Sequence, residues 1–129
     1  AMTRAKQADE ALALRKSWGP LHGVPILMKD IIVSEVQIQS AKKIGADCIL
    51  LIKSVFDNDL AEGSMEKFSA QARAKGLSTL VEVHSENEFK EVLEESANYD
   101  LIGINNRDLN TFEVDLDVTR RLLMKRART

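Results

Sequence analysis

The stretch STLVEVHSENEFKEVLEESANYDLIGIN, residues 78–105, decides the fold. Leu80 to Val83 is an apolar run of strand length. Ser85 follows it, and Glu88 completes an S-x-x-E capping box, the signature of a helix start. That helix runs to about Glu95. Leu101 to Ile104 is a second apolar run, so the stretch reads strand, helix, strand. The same grammar extends upstream. Cys48 to Ile52 is a strand ending in Lys53, and Asn58 to Ser64 is a polar connection. Ser64 caps a helix that ends before Gly76. Ser34 and Gln37 form an S-x-x-Q box for a helix that stops at Gly45, a residue suited to a left-handed C-terminal position. Val24 to Met28 reads as the first strand, a buried one, with Pro25 tolerable only near its start. Leu116 to Arg126 is the last helix.

Strands alternating with helices of this length predict βαβ units and a parallel sheet. Right-handed crossovers then bring all strand C-termini to one edge. The 129 residues are about half of the roughly 250 that a complete (β/α)8 barrel needs. The predicted fold is therefore α/β, four parallel βα units forming half of a TIM barrel, with an extra N-terminal helix. That helix spans Met2 to Lys16 and is rich in Ala, Leu, Arg and Lys. Ser17-Trp18-Gly19-Pro20 ends it. We read residues 1–129 as a single domain, with 1–24 as helix and turn and 25–129 as the half-barrel.

Composition excludes several function classes. Lysine plus arginine number 18 and aspartate plus glutamate 20, a balance too even for a nucleic-acid or membrane-surface partner. The basic run Arg120, Arg121, Lys125, Arg126, Arg128 fits the end of a helix, where cations meet the helix dipole. No apolar stretch is long enough to span a membrane, and no secretory leader is visible, so the expected location is cytoplasmic. Cys48 is the only cysteine. It cannot form an internal disulfide and is expected to be buried as a small hydrophobe. His22 and His84 lack metal-ligand spacing, so no metal and no cofactor are expected. Trp18 is expected to anchor the first helix.

Each strand delivers a polar group near its C-terminal end: Lys29, Lys53, Glu82 and Asn105. In a parallel sheet these ends share the face where active sites sit. A lysine can protonate a substrate oxygen or hold an anion. A carboxylate can act as base, and an asparagine can orient a hydroxyl or carbonyl. Together they suit acid–base chemistry on a small, oxygenated, anionic substrate. The plainer reading is that chains turn into solvent at strand ends and become polar there. Glu82 is the sharpest case, since it lies inside the apolar run TLVEV and needs a partner or a cleft.

The phrases PILMKDIIVSEVQIQSAKKIGADCILLIKSVF, LVEVHSENEF and IGINNRDLNTFEVDLDVTRRLL resemble indole-3-glycerol phosphate synthase, over roughly Pro25 to Leu123. Their order and spacing match the third to sixth βα units of that barrel. The resemblance implies a carboxy-lyase of tryptophan biosynthesis. Such an enzyme closes an indole ring on a phosphorylated aminodeoxyribulose, with loss of carbon dioxide and water. It also implies that Lys29, in an LMKDF-like motif with Ile31 in place of Phe, is the general acid. Glu82, in the VEVH-like segment, is catalytic. Asn105, in GIN-x-RDL, contacts substrate with Arg107 nearby. We take Lys29, Glu82 and Asn105 as candidate catalytic residues and Arg107 and Lys53 as candidate substrate-binding residues.

The N-terminal segment AKQADEALALRKSWGPLHGVPI, followed by Lys29-Asp30, resembles the amidase-signature family instead. That resemblance makes Lys29 part of a Ser–Ser–Lys triad, but the glycine- and serine-rich segment that carries the nucleophile is not matched. Only Gly63-Ser64 comes near it, so amidase catalysis is not expected. Two resemblances meeting at PI-x-x-KD read as a chimera, engineered or a natural recombinant. The synthase resemblance places a phosphate site after strands seven and eight, which these residues do not match. The expectation is a half-barrel without useful catalysis by itself, the alternative being remaining lyase activity through Lys29, Glu82 and Asn105. Four strands with open edges also predict self-association as a homodimer or by domain swapping. The alternative is a monomer whose N-terminal helix covers the open face. A phosphorylated small molecule is the expected ligand class.

Overall fold

A computed structural model describes residues 2–13, 24, 27–28, 30–107 and 111–126. The elements run α1 (Met2–Ala13), β1 (Leu27–Met28), α2 (Glu35–Lys43), β2 (Cys48–Ile52), α3 (Lys53–Asp57), α4 (Met65–Ala74), β3 (Ser78–Val83), α5 (Glu86–Glu94), β4 (Leu101–Ile104) and α6 (Asp117–Arg126). The four strands pair in chain order β1-β2-β3-β4, every pair parallel. This is the partial α/β sheet that half of a TIM barrel requires.

Alternation of side chains along each strand separates two faces. Ile49 and Leu51 of β2 and Val81 and Val83 of β3 are buried to within 1% of full burial. They face the helices, where Ile38 and Ala41 of α2, Phe68 and Ala72 of α4, Phe89 and Val92 of α5 and Leu122 of α6 complete one apolar core. Leu51 stands in register with Val81, and Val81 with Ile102. The opposite face carries Cys48, Leu50 and Ile52, then Leu80 and Glu82, then Leu101 and Gly103. Leu50 is buried on that face, and Ala8 of α1 is buried too. Neither belongs to the helix-side core.

The helix starts follow the sequence. Gln37 Oε1 accepts the backbone N–H of Ser34 at 3.1 Å and that of Val33 at 2.7 Å. Ser64 Oγ accepts from the Lys67 N–H at 3.2 Å, and Ser85 Oγ from the Glu88 N–H at 3.2 Å. Gly45 closes α2 at φ +86°, a conformation that L side chains resist. At the other end of the sheet, Asp100 Oδ2 accepts the N–H of Thr79 at 2.8 Å. Ser69, itself buried, donates its hydroxyl to the Asn98 carbonyl. These bonds satisfy polar groups that burial would otherwise penalise.

Three expectations are corrected. Val24 lies outside the first strand and is half exposed, so the described strand is only Leu27–Met28, and as a strand at the edge of the described sheet it leaves Leu27 exposed rather than buried. A proline follows Val24 in the sequence, and without an N–H it cannot donate to a ladder. Cys48 is half-buried rather than fully buried, because it opens β2 on the face away from the helices. Lys53 does not hang from a strand end into solvent; it begins α3, a short helix that the sequence pattern did not predict. The expected roles of Trp18 and His22 lie outside the described residues.

Leu51→Ala removes a side chain with no exposed surface from the centre of the helix-side core. We expect it to cost about 2–5 kcal/mol in urea unfolding. A cost below about 1 kcal/mol contradicts this assignment of faces.

Candidate functional site

Glu82 and Asn105 come together at the C-terminal end of the sheet. Glu82 stands in register with Gly103 of β4 and Ile52 of β2. The ladder continues one step past β4, where the Asn105 N–H donates to the Val83 carbonyl at 2.7 Å. Asn105 lies two residues beyond Gly103, so it shares the face of Glu82. Its Nδ2 donates to Glu82 Oε1 at 2.9 Å. Its Oδ1 accepts the N–H of Arg107 at 3.0 Å. The carboxamide is thus held at both ends, with its donor turned to the carboxylate. Glycine at position 103 keeps the place beside Glu82 low. A Cβ there would press within 3.3 Å of Leu80 Cδ1.

The other candidate residues are placed differently. Arg107 contributes its backbone N–H to the pair, and its own backbone bridges to Val114. Lys29 lies outside the described residues. Lys53 is not brought to Glu82 and Asn105. Its ammonium pairs with Asp57 of α3 and, at 2.7 Å, with Glu91 of α5. Ile52 occupies the register position beside Glu82, so the next residue turns to the helix side. Burial works against the Lys53 charge, but the hydrogen bonds and charges of Asp57 and Glu91 outweigh it and raise its pKa above the ordinary lysine value.

Two residues near the pair were not among the candidate site residues. Asn106 Oδ1 accepts from the Thr119 hydroxyl at 2.7 Å and from its N–H at 3.3 Å. This pins the loop after β4 to the start of α6. His84 donates its backbone N–H to Glu88 Oε2 at 2.9 Å, and its Nδ1 lies 3.0 Å from the same oxygen. The signal in the sequence was position, since His84 directly follows the last residue of β3 and Asn106 directly follows Asn105. His84, Asn106 and Arg121 border a cavity of about 450 Å³ at this edge. A second cavity, of about 420 Å³, lies between Lys53, Glu66 and Glu95. Glu95, which lines it, accepts the Tyr99 hydroxyl at 3.1 Å. Burial, then the nearby Glu66 and Glu95 charges, push its phenol well up. Glu66 is held below the usual carboxylate range, first by its own backbone N–H. Among the described residues no cluster of His, Cys, Asp or Glu could hold a metal ion. No described helix is long and apolar enough to cross a membrane.

The family model for indole-3-glycerol phosphate synthase matches residues 14–128. The chain belongs to that family. Proteins named indole-3-glycerol phosphate synthase are similar to it across more than three-quarters of its length. The one from Acetivibrio thermocellus is 48% identical over 100 residues, which is 78% of this chain and 36% of the relative. The one from Caldanaerobacter subterraneus is 44% identical over 99 residues, 77% of this chain and 36% of the relative. The one from Polaromonas naphthalenivorans is 44% identical over 102 residues, 79% and 36% respectively. The chain therefore spans about a third of the length of the curated relatives it matches.

The Lys53 cluster gives a prediction of its own. Its raised pKa means that its contribution to stability is full below the ordinary lysine value of 10.5 and is lost as pH rises through the folded value. Lys53→Met is expected to lower stability at pH 7 by about 1 kcal/mol, because its partners are half exposed. The variant should also lose less stability than the parent above pH 10.5. Urea midpoints on both sides of that pH measure this, and identical alkaline slopes would sink it.

Proposed function

We propose that this chain is the central part of a ring-closing carboxy-lyase site, in which Glu82 and Asn105 meet the substrate. The observation that carries the reading is the Glu82–Asn105 hydrogen bond of 2.9 Å at the C-terminal end of adjacent parallel strands. An ionised carboxylate there can take a proton from the substrate or stabilise positive charge developing on its nitrogen. Asn105, fixed by the Arg107 N–H, orients the carboxylate and offers its own polar edge to a substrate hydroxyl. Lys29 is the proposed general acid on the family motif, and Arg107 a proposed substrate contact on the same ground. The Lys53 ammonium is left out of this reading, since Asp57 and Glu91 hold it.

We further propose that the 129 residues by themselves do not turn over usefully. Much of the binding energy for a phosphorylated substrate in such barrels comes from backbone N–H groups at a helix start. The family motif for that cradle is not matched in this sequence. The proposed chimeric origin of residues 1–24 rests on the amidase-like pattern alone. The family match beginning at residue 14 overlaps that segment.

An indole-fluorescence assay with the phosphorylated aminodeoxyribulose tests the second proposal, and no turnover above background is expected. Turnover that disappears in Glu82→Gln would replace it with the lyase reading. Amide chemical shifts test the first proposal. Millimolar substrate should move the Gly103, Asn105 and Arg107 signals, and Asn105→Ala should weaken that response about tenfold, the worth of one charge-assisted hydrogen bond. Unmoved signals there would refute the site.

A further inference from the structure

We propose, resting on the reading of Arg107 as a substrate contact, that Asn106 is a positioning residue that ties Arg107 to α6 while Asn105 stays tied to β3. The first N–H groups of a helix have no partner within it. Leu116, which stands just before Asp117 at the start of α6, has no side-chain oxygen to offer them. Two residues outside the helix do so instead. Asp115 Oδ1 accepts the Asp117 N–H at 2.9 Å, and the Asp115 carbonyl accepts the Val118 N–H at 3.2 Å. Asn106 Oδ1 accepts the Thr119 N–H at 3.3 Å and the Thr119 hydroxyl at 2.7 Å. Asn106 is thus a helix cap supplied from the end of the sheet, 13 residues before its target.

The same residue closes the loop at its base. Its carbonyl accepts the Asp115 N–H at 2.8 Å, and the next residue, Arg107, bridges antiparallel to Val114. Arg121 of α6 holds Asp115 Oδ2 at 2.7 Å. Residues 106–107, residues 114–115 and the first turn of α6 therefore form one braced unit. Leu122, buried in the helix-side core, seats α6 itself. The direction in which the Arg107 side chain leaves the loop is set by the packing of α6, relayed through Asn106.

Asn105 is anchored elsewhere. Its N–H goes to the Val83 carbonyl at 2.7 Å and its Nδ2 to Glu82 Oε1 at 2.9 Å, both on β3. Neighbours in an extended run alternate in direction. Asn105 turns to Glu82 and Asn106 to α6, so alternation returns the exposed Arg107 to the side of Asn105. The 3.0 Å bond from the Arg107 N–H to Asn105 Oδ1 joins the two, but it fixes only the main chain of Arg107. A substrate touching both residues is gripped by groups with separate supports. The sheet places the carboxamide. A helix places the guanidinium, the group suited to an anionic part of the substrate.

Titrating the phosphorylated aminodeoxyribulose into the 129-residue chain, with amide and side-chain nitrogen shifts as the readout, tests this. Asn106→Ala should raise the dissociation constant about fivefold, the equivalent of one lost cap. Thr119→Val removes only the hydroxyl bond and should raise it about twofold. Thr119→Ser keeps the hydroxyl and should bind as the parent does. Ser64→Ala takes the cap from α4 instead; it should cost similar stability and leave the affinity unchanged. In every variant the Asn105 Nδ2 signals should keep their place, because Glu82 holds that group. Asn106→Ala binding as tightly as the parent overturns the proposal. Displaced Asn105 Nδ2 signals overturn it too, as does a loss in Ser64→Ala equal to that in Asn106→Ala. A parent chain whose Gly103, Asn105 and Arg107 signals ignore the substrate refutes the site itself, and the positioning role falls with it.

Discussion

The parallel registration of β2, β3 and β4 is the constraint on which the rest depends. Leu51, Val81 and Ile102 stand side by side, and so do Ile52, Glu82 and Gly103. The first row is sealed under the helices. The second is left on the other face, with a carboxylate between a branched apolar side chain and a bare backbone. A slip of one residue in β3 would drive Glu82 into the core and expose Val81. The burial of the valine row therefore fixes where the acid points. The cost of burying an ionised group and the gain from burying apolar ones act in the same direction here.

The polar groups at the strand ends divide into two sets with different physics. Glu82 and Asn105 make a single neutral-to-charged hydrogen bond on the open face. Lys53, Asp57 and Glu91 make a cluster on the helix face that ties α3 to α5. The first set is small and held by backbone on one side only, so a ligand can still reach it. The second satisfies its own charges, which suits it to holding elements together. Strand ends alone do not tell these sets apart; the face of the sheet does.

Much of this was legible in the residues. Capping residues at Ser34, Ser64 and Ser85, the glycine at position 45 and the apolar runs placed three helices and three strands, because each signal is local. The isolated acid in TLVEV announced its need for a partner, and Asn105 supplies it. Lys53 was not legible in the same way. A helix of one turn has no periodicity to read, and its partner Glu91 is contributed by another element. Cys48 was misjudged because an apolar neighbourhood in sequence does not say which face of the sheet a residue takes.

The bond from Arg107 to Asn105 has a consequence for how such a site can change. The donor is main chain, so almost any residue at position 107 can provide it, proline being the exception. What the carboxamide needs is the two-residue span of the turn. Substitutions in this loop would leave the carboxamide in place, whereas inserting one residue between Asn105 and Arg107 would release it. The orientation of Asn105 is therefore encoded by the length of the chain after β4 more than by the side chains along it.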